Sequence, residues 1–235
     1  MRLAIMQPYF FPYQGYFQLI ASVDRFVVYD DVAFIKNGWI NRNRILGPSG
    51  PEYVTVPLAG ASSFRAIRET QCAPPARWRD KMLRTLAQVY ARAPERDTGL
   101  GLAQRALAAA DGGSMRDVAV ASLKEVCSFA ELSATWRDTS AAYANAELSG
   151  VHRVLDICRI EKATCYVNVP GGRALYQADT FDAKGIELKF LKPLLEPYPQ
   201  ARSAIFVPGL SVLDLIMSVP RQEVMQRLRS AEVES

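Results

Sequence analysis

The stretch RLAIMQPYFFPYQGYFQLIASVDRFVVYDD, residues 2–31, decides the fold class. Leu3–Met6 is a short apolar run that Gln7-Pro8 interrupts, as expected of a buried strand. After the aromatic stretch Tyr9–Tyr16, Phe17–Val23 has the length and composition of a short helix. Arg25–Tyr29 is β-branched and aromatic, and Asp30-Asp31 closes it, which predicts a second strand. Strand, helix and strand in about thirty residues make a βαβ unit, and such a unit implies a parallel sheet with a right-handed crossover.

Downstream, Tyr53–Leu58 reads as a third strand between the turn segments Gly47–Pro51 and Gly60–Ser63. From Pro74 to Glu147 the texture is helical, with apolar residues at helical spacing through Trp78, Met82 and Leu86 and again through Val118, Leu123 and Val126. Asp111-Gly-Gly-Ser114 separates the two runs, with Ser114 placed to cap the second. The sheet resumes with helix Val151–Ile160, strand Thr164–Val169, helix Leu175–Phe181 and strand Ile186–Leu191. Helices over Ser211–Met217 and Gln222–Leu228 follow, and residues 229–235 are expected to fray. The prediction is one α/β domain over residues 1–235, a doubly wound parallel sheet with a helical insertion at 74–147.

Composition narrows the function. Hydrophobic residues are 49% of 235, enough for a continuous core. Gln7-Pro8 cuts the first apolar run short of a secretory signal, and no stretch reaches the roughly 20 apolar residues of a membrane span, so the expected location is the cytoplasm. The four cysteines lack C-x-x-C spacing and are expected to be reduced and buried. A single histidine, His152, excludes a histidine-cluster metal site. A net charge of +4 suits a small anion and is too weak and scattered for nucleic acid.

Five ordered blocks are distinctive: the segment from Met6 to Ile20; Tyr29-Asp-Asp-Val32; Lys36-Asn-Gly-Trp-Ile-Asn-Arg-Asn-Arg-Ile45; Tyr166-Val-Asn-Val-Pro-Gly-Gly-Arg-Ala-Leu-Tyr176; and Phe206-Val-Pro-Gly-Leu-Ser-Val-Leu-Asp214. In this order they resemble the WbqC-like family of bacterial surface-polysaccharide (O-antigen) gene clusters, across roughly residues 2 to 218. The resemblance implies work beside enzymes that make amino-sugar nucleotides, and some members carry a glycine-transferase label. The first block is also similar to the nucleotidylyltransferase and class I synthetase (HUP-like) signature, with Tyr13-Gln-Gly-Tyr16 where those proteins have His-x-Gly-His. That similarity implies nucleotide binding with the adenylyl-transfer chemistry lost or altered.

Residue chemistry gives a candidate site. Gln7, Tyr9, Tyr13, Gln14 and Tyr16 offer hydrogen bonds to an anion, and Gly15 permits close backbone approach. Asp30 and Asp31 point to opposite sides of the strand, so one of them faces the crevice as a general base or a magnesium ligand. Lys36, Trp39, Asn41, Arg42, Asn43 and Arg44 suit a sugar or nucleotide, with indole for stacking, amides for hydroxyls and cations for phosphate. Gly171-Gly172-Arg173, flanked by Asn168 and Tyr176, reads as a second ligand turn, with Tyr198, Gln200, Ser211 and Asp214 as weaker candidates. Asp30, Asp31, Tyr16 and Lys36 are the catalytic candidates. The expected function is amide-forming acyl or aminoacyl transfer to a nucleotide-linked amino sugar, from an acyl-carrier or other activated donor. The alternatives are an ATP-dependent carboxylate-activating ligase and a non-catalytic sugar-nucleotide binder.

Overall fold

The computed structural model describes residues 1–60 and 62–234; Ala61, within the turn expected at 60–63, and Ser235 lie outside the described residues. In chain order the elements are β1 (Arg2–Met6), α1 (Gln14–Ala21), β2 (Arg25–Val28), β3 (Arg42–Gly47), β4 (Gly50–Thr55), α2 (Arg79–Val89), α3 (Arg96–Ala108), α4 (Met115–Phe129), β5 (Thr135–Arg137), α5 (Gly150–Ile160), β6 (Cys165–Asn168), α6 (Ala178–Asp182), β7 (Glu187–Lys192), α7 (Val212–Ser218), α8 (Arg221–Arg229) and β8 (Glu232–Glu234).

The main sheet has the order β5-β2-β1-β6-β7-β8. Its first five strands are parallel, and β8 runs antiparallel to β7. The chain builds outward from β1 to β2 and β5, then crosses to β6 and β7 on the other side. The strand order therefore reverses between β1 and β6, and beyond the carboxyl ends of two such strands an open α/β sheet leaves a crevice.

The two-residue period of the strands sorts their side chains onto two cores. Leu3, Ile5, Val27, Tyr166, Leu188 and Phe190 face α5 and α6, packing against Val154, Ile157, Cys158 and Phe181. Ala4, Phe26, Val28 and Val167 face the other way, toward α1, the α2–α4 layer, α7 and α8. Helices on both faces make the sheet doubly wound. Ser114 caps α4 as expected, its Oγ accepting from the Asp117 N–H at 3.3 Å.

The structure departs from expectation in four places. Tyr53–Thr55 belongs to β4, which pairs antiparallel with β3 in a separate two-stranded sheet. Alternation alone does not say which sheet a strand joins. Within the stretch read as wholly helical, Thr135–Arg137 forms β5 beside β2, a strand too short to show a period. Pro170–Leu175 is a 3-10 turn and the helix behind it starts only at Ala178, because Tyr176 and Gln177 are extended. The C-terminal residues expected to fray instead pair as β8, with Arg173 and Lys192 holding Glu234 and Glu232.

Candidate functional site

The turn after β1 is built around one unusual backbone. Phe11 has φ of +37°, a left-handed conformation that a bulky aromatic residue adopts only under constraint. Three elements supply the constraint. The Phe11 N–H donates to Ser122 Oγ of α4 at 3.0 Å, and its carbonyl accepts from Asn43 Nδ2 of β3 and from Ser211 Oγ before α7, both at 2.9 Å. Asn43 also donates to the Phe10 carbonyl at 3.1 Å, and the Phe10 N–H donates to the Trp39 carbonyl at 2.9 Å. The tyrosine-rich turn is thereby fastened to the Trp39–Asn43 segment.

Between these pieces lies a cavity of about 240 Å³, lined by Tyr9, Pro12, Tyr13, Trp39, Asn43 and Gly209. Its walls are mainly aromatic. Burial raises the pKa of Tyr9 and Tyr13, and their mutual proximity raises Tyr13 further, so both phenols are neutral donors at physiological pH. Among the described residues neither hydroxyl has a hydrogen-bond partner. Arg44 adds charge at the margin. Its guanidinium lies 5.7 Å from the Trp39 ring centre, and Nη2 reaches the Gly209 carbonyl at 3.5 Å. The Arg44 Nε is buried with no acceptor among the described residues, although buried polar atoms are ordinarily paired. Trp39 itself is 36% exposed, open to a ring stacking on it.

Other residues of the same blocks hold the scaffold. Tyr16 is sealed in the core, donates to the Gln7 carbonyl at 2.6 Å and has its pKa pushed well up by burial, so it is unsuited to be a base. Gly15 is needed for a neighbour: a Cβ there would sit 2.5 Å from the Tyr13 ring. Gln14 is buried and donates to the Leu194 carbonyl at 2.7 Å, binding α1 to the C-terminal segment. Asn41 donates to the Val56 carbonyl at 2.9 Å across the hairpin. Arg42 donates to the Asn37 and Gly38 carbonyls and lies 4.3 Å over the Tyr53 ring. Lys36 is exposed in the loop before Trp39.

The paired aspartates, expected on opposite sides of the strand, lie beyond the end of β2 and converge on the Ser140 hydroxyl, and each meets an arginine. Asp30, 1% exposed, accepts from Arg116 Nε of α4 at 2.9 Å and from Thr139 Oγ1 at 2.7 Å. Asp31 accepts from Arg153 Nη2 of α5 at 2.5 Å, and Ser140 bridges both carboxylates. Burial alone would raise the Asp31 pKa; the hydrogen bonds from Arg153 and Ser140 outweigh it and hold the group below the usual carboxylate range. A carboxylate so held is a weak proton acceptor.

The late turn also builds structure. Asn168 Oδ1 accepts from the Val169 N–H at 2.7 Å, and its Nδ2 donates to Tyr166 Oη at 3.2 Å. A Cβ on Gly172 would come within 2.6 Å of the Asn168 amide, while Gly171 has open space around it. Arg173 pairs with Glu234 at 2.5 Å and lies over the Phe190 ring, and Tyr176 meets Tyr166 edge-on at 5.8 Å. None of these residues lines the aromatic cavity, so the third piece expected at one common site lies apart from it. Gln200 secures the 200–207 loop through Val207 and donates to Asp214 Oδ2 at 2.9 Å. Asp214 is buried and also accepts from Tyr90 and Tyr198, at 2.9 and 2.8 Å. Among the described residues no group of three or more His, Cys, Asp or Glu side chains gathers as metal ligands, and no helix is long and apolar enough to cross a membrane.

The sequence reading missed the Phe11 backbone, Pro12 and Gly209 as cavity wall, and Tyr90 as a partner of Asp214. For Gly209 a signal existed in Pro208-Gly209, where the glycine turns the chain at φ of +69°.

Comparison with known proteins places the chain. No solved structure matches it. The "Uncharacterized protein Rv1507c" of Mycobacterium tuberculosis is 30% identical over 236 residues, covering 93% of this chain and 94% of that protein. The WbqC-like protein family matches residues 7–226, which includes the strained turn, both aspartates, the cavity walls and the Asp214 cluster. The chain belongs to the WbqC-like protein family.

Proposed function

We propose that this protein binds a nucleotide-linked amino sugar and transfers an activated acyl or aminoacyl group to its amine, forming an amide during surface-polysaccharide synthesis. The observation that carries the reading is the cavity between Tyr9, Tyr13 and Trp39, with two unpartnered phenol hydroxyls and a buried guanidinium nitrogen at its edge. A sugar or base ring stacks on Trp39, and the neutral phenols donate to the ring's oxygens or to the oxyanion that forms as the acyl carbon becomes tetrahedral.

No free carboxylate or imidazole lines this cavity, so the reading needs a donor that arrives activated. The amine nitrogen attacks the acyl carbon, the carrier thiolate or phosphate leaves with the bonding pair, and the amine proton passes to that leaving group. Rate then comes from positioning and hydrogen-bond donation. The nucleotidylyltransferase likeness is supported by a sheet whose strand order reverses between β1 and β6. Incubating the protein with amino-sugar nucleotides and carrier-bound glycine, then reading product mass, tests the proposal. A mass gain of one acyl group supports it, and no gain with any activated donor ends it.

A further inference from the structure

The aromatic cavity, at about 240 Å³, holds one ring and leaves the remainder of a nucleotide-sized ligand outside. The hairpin shows where the remainder goes. In its register Arg44 faces Tyr53 and Arg42 faces Thr55, so these four side chains share one face, while Asn43 and Val54 fill the other. The Trp39 and Tyr53 rings lie 6.2 Å apart on this face, with Arg42 stacked over Tyr53. Trp39 walls the aromatic cavity; Tyr53, 51% exposed, walls a second groove of about 440 Å³ between β4 and α2. The two rings form a ridge between the two spaces.

The groove has the chemistry of an anion site. Arg77 and Lys81, four residues apart, project into it, with Thr55 on the facing strand and Trp78 and Met82 at its floor. No acidic side chain among the described residues lines it. Among the described residues neither Arg77 nor Lys81 has a carboxylate partner, whereas most other arginines of the α2–α4 layer are paired.

We infer that this groove is a phosphate subsite, holding the diphosphate of a ligand whose ring lies over the Trp39–Tyr53 ridge. The inference extends the proposed function to residues outside the aromatic cavity and rests on that reading only for the ring.

The test is calorimetric titration of inorganic pyrophosphate into the full-length protein, the Arg77→Gln/Lys81→Gln double variant and Trp39→Ala. Both cations are exposed, so the double variant is expected to keep its melting temperature, and Lys81→Gln alone serves if it does not. Pyrophosphate binding should weaken at least tenfold in the double variant, less in the single variant, and stay unchanged in Trp39→Ala. No binding to the unaltered protein, or equal binding to the double variant, overturns the subsite. Failure of the cavity reading looks different: an uncharged nucleoside or free amino sugar that binds Trp39→Ala as well as the unaltered protein sinks the cavity and leaves the pyrophosphate result standing.

Discussion

The Asn43 side-chain amide donates to the Phe11 carbonyl at 2.9 Å, joining β3 to a residue whose φ of +37° is among the least comfortable backbones in the protein. Two hydroxyls, from Ser122 and Ser211, secure the same residue. Strain persists where its surroundings over-determine it, and here it lies between Tyr9 and Tyr13, which wall the cavity.

Replacing Asn43 by Ala leaves the buried Phe10 carbonyl without its side-chain donor and the Phe11 carbonyl with Ser211 alone. Urea unfolding should record a loss of about 2 kcal/mol, at the cost expected for an unsatisfied buried polar group. Replacing Phe11 by Gly relieves the left-handed backbone and empties an aromatic site, and the lost packing of about 3–5 kcal/mol should win.

Trp39→Ala should separate binding from folding. The indole is partly exposed, so stability should fall by less than the roughly 3–5 kcal/mol of a fully buried tryptophan, while affinity for a ring-bearing ligand falls tenfold or more. Thermal melts and calorimetric titration on one preparation check both halves.

Asp31→Ala should cost about 3–5 kcal/mol because it strands Arg153, which is 3% exposed and shares a single carboxylate with Ser140. Asp31→Asn keeps the shape and should cost less. If Asp30 and Asp31 serve as scaffold, the Asn variants that fold retain turnover; a loss of about a hundredfold or more with unchanged affinity would instead make one of them a base.

Acid should weaken the protein at two identifiable places. The pKa of Glu161 lies below its ordinary value: burial alone would raise it, and hydrogen bonds from Tyr143, Arg137 and Arg25 more than reverse that. Asp31 behaves likewise. For a group with a depressed folded pKa, the stabilisation is fully present above the unfolded value, roughly pH 4, and is lost as pH falls through the lower folded value. Asp214 runs the other way, since burial raises it above the unfolded value. It takes up a proton in the folded state first and offsets part of the loss. Urea midpoints between roughly pH 6 and pH 3 should therefore fall less steeply in the unaltered protein than in Asp214→Asn.

All four cysteines are buried, and burial pushes the thiols of Cys72, Cys127 and Cys158 up to about 12. A disulfide-exchange reagent at neutral pH should label none of them in the native protein and all of them after denaturation.

The βαβ start was legible because Leu3–Met6 and Phe26–Val28 carry unbroken apolar runs, and buried parallel strands demand such runs. Strand β6 could be read for the same reason, while β7 and the last two helices showed in the spacing of their apolar residues. What escaped was which segments pair with which. Arg42–Gly47 is half polar because Arg42 and Arg44 lie on the outer face of a two-stranded hairpin while the buried Asn43 ties down the Phe10 and Phe11 carbonyls, and it looked like a ligand loop. At the site, residue type pointed to Tyr9, Tyr13, Trp39 and Asn43, which do meet. It could not distinguish an amide that reads a ligand from one that ties down a carbonyl, and Asn41, Asn43 and Asn168 all hydrogen-bond within the fold. That distinction depends on where the backbone leaves unpaired groups, which only the assembled structure fixes.

The central claim is a ligand on Trp39 between the two tyrosines. Melting temperatures across a panel of nucleotide-linked amino sugars, taken for the unaltered protein and for Trp39→Ala, test it most directly. At a hundred times its dissociation constant a true ligand adds about 2.7 kcal/mol of stability to the unaltered protein and far less to the variant. A panel in which no member raises the melting temperature, or in which both proteins rise equally, contradicts it.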